Sequence, residues 1–163
     1  VEWDKVCVWG HRKWEAGGGE VFIPEVTALV LRLLKEEQVG SVLFDPYQWK
    51  AESQRLVEAG YGRFLREVNQ SSEMVAIGNN LHGLIQRGDL LMYDDGDLRN
   101  HFLWCAAKHT ERGYRIVKQQ QSKPIDLVVA LAMACWGATE SEEEGVAPSY
   151  DRDHHVVGVG ELV

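Results

Sequence analysis

The sequence predicts an α/β fold, a mixed β-sheet flanked by helices on both faces. Three observations carry this. Short runs with strand-like patterning, Lys5–Trp14 and Ser41–Phe44, alternate with longer runs of helical period. The breaks between them are short and fall at Gly, Pro, Asn and Asp. No segment repeats, so alternation along one chain, not duplication, builds the layers.

The elements follow in order. Val6 and Val8 alternate with polar neighbours in the first strand, Gly17-Gly18-Gly19 predicts a turn, and Glu20–Ile23 is expected to extend the sheet or cross its edge. Pro24 suits a first helical position, where its missing N–H would have no partner anyway. Val26, Leu29, Val30, Leu33 and Leu34 then form one apolar helix face. Ser41-Val42-Leu43-Phe44 reads as a strand buried on both faces and stopped by Asp45-Pro46. Trp49–Ala59 is expected to be a helix closed by Gly60, and Phe64–Val68 a strand. A helix capped by Ser71 or Ser72 should run through Gln86, with Met74, Ile77, Leu81, Leu84 and Ile85 facing inward. Leu90–Tyr93 reads as a strand, Asp97 as the cap of a helix reaching about His109, and Tyr114–Lys118 as a strand. Ile125–Trp136 is the last helix, with Gly137 as its stop.

With 163 residues, 45% hydrophobic and 26% charged, the chain matches one globular domain, not a disordered segment. No apolar run reaches the roughly 18 residues of a membrane span, so no membrane partner is expected. The absence of an initiator Met suggests a piece of a longer protein. Cys7, Cys105 and Cys135, odd in number and scattered, fit reduced thiols better than a disulfide framework or a zinc site. The net charge of −8 is uneven. Residues 139–163 hold seven acids against Arg152 and are expected to form a tail with little fixed structure, which leaves residues 1–138 as the domain. Residues 99–123 hold six bases against Glu111, immediately before Asp126. Such a patch serves phosphate contacts or simply a solvated face, and Arg112, Arg115 and Lys118 are its candidate DNA-binding residues.

Two carboxylates are unusually placed. Asp45 follows a buried strand, where open α/β sheets gather ligands. Asp126 lies in the first turn of an Ala-rich helix, where the helix dipole favours negative charge. Brought together, they would make the oxygen-rich pocket that hard cations such as Mg²⁺ or Mn²⁺ prefer. On spacing alone, Asp45 also reads as a turn residue before proline and Asp126 as a helix-start residue. Lys118 could contact a phosphate or merely end a strand. His101 and His109 are too far apart on one helix to share an ion, and His154-His155 with Asp151 and Asp153 reads as a solvated acidic stretch. The six Trp are scattered, as packing residues are. No Gly-x-Ser-x-Gly elbow is present.

Phe44-Asp45-Pro46-Tyr47-Gln48-Trp49 resembles the aspartate-proline, aromatic, glutamine step of the nuclease domain in large terminase subunits of tailed bacteriophages. Leu65–Asn69 with Gln70-Ser71 resembles the strand and capped helix that follow it. Lys123-Pro124-Ile125-Asp126, continuing through Ala134, resembles the family's closing helix. His11-Arg12-Lys13-Trp14 sits where these proteins carry a His-Arg-x-Trp strand. The likeness runs from about Val6 to Ala138.

That resemblance implies a ribonuclease-H-like fold with a mixed five-stranded sheet and an acidic site for two Mg²⁺ or Mn²⁺ ions. Asp45 and Asp126 would be the second and third acidic ligands. The implied activity is endonucleolytic cutting of concatemeric double-stranded viral DNA in the cytoplasm of an infected bacterial host. The implied partners are an upstream ATPase domain, the small terminase subunit and the capsid portal. Two departures stand out. No acid-bearing strand precedes Val6, so the first ligand is expected upstream of Val1 and this chain alone should cut weakly or not at all. The chain also lacks a Gly-x-x-x-x-Gly-Lys-Ser/Thr loop. The rival readings are another ribonuclease-H-like nuclease, such as a resolvase or transposase core, and a non-catalytic module that binds DNA or the portal.

Overall fold

The computed structural model describes residues 5–16, 19–143 and 155–159. It is a mixed α/β fold whose order is β1 (Val6–Arg12), α1 (Ile23–Glu36), β2 (Val42–Phe44), α2 (Pro46–Leu56), β3 (Leu65–Glu67), α3 (Met74–Arg87), β4 (Leu90–Leu91), α4 (Gly96–Trp104), β5 (Cys105–Thr110), β6 (Gly113–Lys118), α5 (Asp126–Glu143) and β7 (His155–Val159). Among the described residues the strands form not the one mixed sheet expected but three small sheets, because each pairs only with its own neighbours: parallel β4-β1-β7, parallel β2-β3 and the antiparallel hairpin β5-β6.

Helix α5 joins them. Leu127, Val128, Leu131, Ala132, Met133 and Cys135 are all buried along it, so it is apolar nearly all round, as a helix enclosed by protein must be. It packs against β1, β2, β7, α3 and α4. Each such large side chain, fully buried, contributes about 1.5–3 kcal/mol. The β2-β3 sheet has helices on both faces. Val42, Phe44 and Leu65 turn toward Val30 of α1 and Trp49 and Leu56 of α2, while Leu43 turns toward the core around α5.

Several elements differ from expectation for identifiable reasons. Glu20, Val21 and Phe22 form no strand, and α1 begins directly at Ile23 with Pro24 in its first turn. Helix α2 starts at Pro46, because Asp45 caps it and Pro46 tolerates a first-turn position. It ends in a π-helical turn, Val57–Tyr61, where Gly60 has φ +91°. Ser71 and Ser72 do not cap α3: Asn69 Oδ1 accepts both of their N–H groups, while Glu73 Oε2 accepts the Asn69 N–H. Ile85 is 48% exposed, off the inner face of that helix. Asp95, not Asp97, caps α4 by accepting the Leu98 N–H.

The expected helix through His109 stops at Trp104, because Cys105–Thr110 pairs with β6 instead. Asn79 of α3 holds that hairpin at its tip, accepting from Tyr114 N–H and donating to the Arg112 carbonyl. Gly137 does not stop α5. It is where the helix meets β2, and a Cβ there would lie 2.6 Å from Leu43 Cδ1. Of the expected acidic tail, Thr139–Glu143 continues α5 and His155–Val159 pairs in parallel with β1. Trp3, the Gly17-Gly18 turn, Asp151, Asp153 and His154 lie outside the described residues.

Gly78 lets α3 approach the hairpin: a Cβ there would sit 2.5 Å from the Tyr114 carbonyl oxygen, a backbone atom that cannot rotate away. Gly78→Ala should therefore destabilise the fold by about 1–3 kcal/mol despite its better helix propensity. Urea unfolding of the variant beside wild type checks this.

Candidate functional site

Parallel pairing of β2 with β3 places Phe44 beside Glu67, so both strands end together. Chain directly beyond parallel strand ends is where α/β folds collect polar groups. Here Asp45, Glu67, Asn69 and Gln70 come together at one rim of a cleft of about 950 Å³. Asp126, at the first turn of α5, lines the same cleft, as do Arg115 and Lys118 of β6; Val68, Met74, Ile116 and Ile125 supply apolar walls. The structure thus gathers four of the five candidate residues. Arg112 sits at the exposed hairpin tip and does not line the cleft.

The Asp45 carboxylate has two neutral donors. Its Oδ1 accepts the Tyr47 N–H at 2.9 Å, capping α2, and its Oδ2 accepts from Gln70 Nε2. Asp126 opens α5, whose first-turn N–H groups are largely occupied: the Ile125 carbonyl accepts from Val128 and Val129. His101, buried in α4, accepts the Leu127 N–H through Nδ1 at 3.2 Å. That bond needs an unprotonated Nδ1, so it ties α5 to α4 through a neutral ring. Burial holds the His101 pKa below its usual value against the opposing pull of Asp126.

Charge around the cleft is asymmetric. Lys13, Arg32, Lys50, Arg55, Arg66, Arg87 and Arg99 all pair with carboxylates. Asp94 pairs with Arg99, Asp97 with Lys13 at 2.7 Å, and Asp95 lies 3.7 Å from His11. Among the described residues no carboxylate pairs with Lys108, Arg112, Arg115 or Lys118. The hairpin cations therefore do not neutralise Asp94, Asp95 or Asp97. Lys108 even stands directly across from Arg115.

Sequence reasoning placed Glu67, Asn69 and Gln70 within the resembling stretch Leu65–Ser71 but gave them no role in the site. The signal for them was their position at the end of a strand, Glu67, and just beyond it, Asn69 and Gln70. His109, expected on a helix with His101, lies on β5 with its ring edge-on to Tyr114.

The donor set fits a hard divalent cation in kind, since the carboxylates of Asp45, Glu67 and Asp126 share the cleft with amide oxygens and such ions take oxygen ligands. Among the described residues no three His, Cys, Asp or Glu gather tightly enough to form a larger ligand set. Glu67 is engaged by Lys50. One ion bound by one or two carboxylates, water and a substrate phosphate is the arrangement this chemistry allows. No protein-family model, characterised protein or solved structure matches the chain.

The lowered pKa of His101 gives a pH dependence of definite sign. Below its ordinary value of 6.5 the unfolded chain takes up a proton that the folded chain refuses. Its contribution should be complete above that pH and decline as pH falls toward the lowered folded value. His101→Leu should abolish this slope and cost about 1–3 kcal/mol at neutral pH by orphaning the Leu127 N–H. Denaturant titrations at several pH values between about 5 and 8 measure both effects.

Proposed function

We propose that this chain is the Mg²⁺- or Mn²⁺-dependent endonuclease domain of a large terminase subunit, ribonuclease-H-like in type, acting on double-stranded viral DNA. One observation carries the reading: Asp45 and Asp126, remote in sequence, line one cleft together with Arg115 and Lys118, cations that no described carboxylate pairs with. Acids that hold a cation and bases that hold phosphates are the two halves of a phosphodiester-cleaving site.

In this reading Asp45 and Asp126 hold the ion. A bound divalent ion supplies activation of water and charge stabilisation at the leaving oxygen. Arg115 and Lys118 orient the phosphodiester and offset its negative charge, and the apolar walls limit competing water around it. The second of two ions would require a carboxylate beyond Asp45 and Asp126. The upstream ATPase, the small subunit, the portal and the setting in an infected bacterial cell belong to the same proposal. They rest on the motif resemblance. No described helix is long and apolar enough to cross a membrane.

Asp45→Asn and Asp126→Asn should each weaken Mn²⁺ binding at least tenfold, on the order of the loss seen when a metal site's supporting residues are removed. They should also remove whatever Mn²⁺-dependent nicking of plasmid DNA the wild-type chain shows. Mn²⁺ titration followed by electron paramagnetic resonance, beside a nicking assay, reads both. Duplex binding without Mn²⁺ uptake would favour the non-catalytic DNA-binding module instead.

Arg115→Ala and Lys118→Ala should weaken binding to unrelated duplexes about equally. Each should lower the slope of log affinity against log salt by roughly one. Arg112→Ala, outside the cleft, should have the smaller effect. Affinity measured between about 50 and 200 mM salt decides it, and unchanged slopes in all three variants would move the DNA path off the hairpin.

A further inference from the structure

We infer that Gln70 is a positioning residue for Asp45: its side-chain amide, carried on a braced turn, fixes the rotation of that carboxylate in the cleft. The inference rests on the reading of the cleft as a divalent-cation site. The terminal torsion of an aspartate is soft, and the Tyr47 N–H grips Oδ1 alone. With that bond as its sole tether, the carboxylate could rock about it. The Gln70 Nε2–H on Oδ2 removes this freedom.

The turn carrying Gln70 is anchored at several points. Asn69 Oδ1 accepts Ser71 N–H at 2.9 Å and Ser72 N–H at 3.2 Å. Glu73 Oε2 accepts Asn69 N–H at 2.6 Å, and the Asn69 carbonyl accepts Glu73 N–H at 2.9 Å. Arg66 binds Glu73 at 3.2 Å, pairs with Glu140 of α5, and stacks 4.3 Å from the centre of the Trp136 ring. Gln70 is thereby held by the same helix that carries Asp126. Because the backbone of the turn is already ordered, the bond costs only the rotamer freedom of the Gln70 side chain itself.

The chemical type of the donor matters too. Arg or Lys in this place would cancel the charge that attracts a cation. An amide orients the carboxylate and leaves its charge intact. A carboxylate offers about four lone-pair sites; two are occupied by the neutral donors, and the others remain for an ion. This is the arrangement by which outer partners tune metal ligands.

The test is Mn²⁺ binding to the full chain, followed by electron paramagnetic resonance. Gln70→Met keeps the length and removes the donor, and Gln70→Ala removes the whole group. Both should raise the Mn²⁺ dissociation constant by about tenfold to a hundredfold, with thermal midpoints unchanged. In an Asp45→Asn background the same substitutions should add nothing, because Gln70 acts only through Asp45. Unchanged affinity in Gln70→Met, with wild type binding normally, overturns the positioning role alone, as does an equal loss in both backgrounds. Wild-type chain that takes up no Mn²⁺ overturns the cation-site reading itself and this inference with it.

Discussion

The structure depends on enclosing one apolar helix. Because α5 buries residues around most of its circumference, it needs neighbours on all sides, and β1, β2, β7, α3 and α4 are those neighbours. Two small parallel sheets, each too short to be stable alone, are joined through it, although Val42, Phe44 and Leu65 pack a second cluster with α1 and α2. The same requirement sets the chemistry. The N-terminus of α5 must emerge where β2 and β3 end, so Asp126 arrives at the cleft as a by-product of burying Leu127 and Val128. Small residues are needed where elements press together, and Gly137 against the side chains of Leu43 and Ser41 is such a point.

Asp45 shows how structural and chemical roles combine at one residue. Its carboxylate caps α2, worth about 1 kcal/mol, which alone would justify an aspartate before Pro46. What a cap does not require is a second donor from a distant turn, or a place in the cleft that Asp126, Arg115 and Lys118 also line. Capping explains the residue type, and the Gln70 bond with the shared cleft points beyond it.

Much of the fold was legible because burial leaves a period. Val26 and Val30 of α1, and Met74, Ile77, Leu81 and Leu84 of α3, stand where their spacing put them. The failures came where a partner distant in sequence decides. Ala106-Ala107-Lys108 has good helix propensity, yet β6 pairing and the Asn79 clamp make it a strand. Gly137 reads as a helix stop by composition, because nothing local reveals a strand crossing beneath it. His155–Val159 was hidden by the acidic stretch around it. Asp45 and Asp126 could be nominated from strand-end and helix-start positions alone. Glu67, Asn69 and Gln70 could not, because their relevance follows only from β3 lying beside β2.

The Lys108–Arg115 pairing has a consequence for how the two halves of the molecule respond to ionic conditions. Like charges facing each other across an antiparallel ladder repel, and added salt screens that repulsion over about 10 Å. The ion pairs elsewhere on the surface are weakened by the same screening. Salt therefore tightens the hairpin while loosening its surroundings. A bound polyanion would do for the hairpin what salt does, by placing negative charge between the two strands' cations, so that occupancy and order of this ribbon rise together.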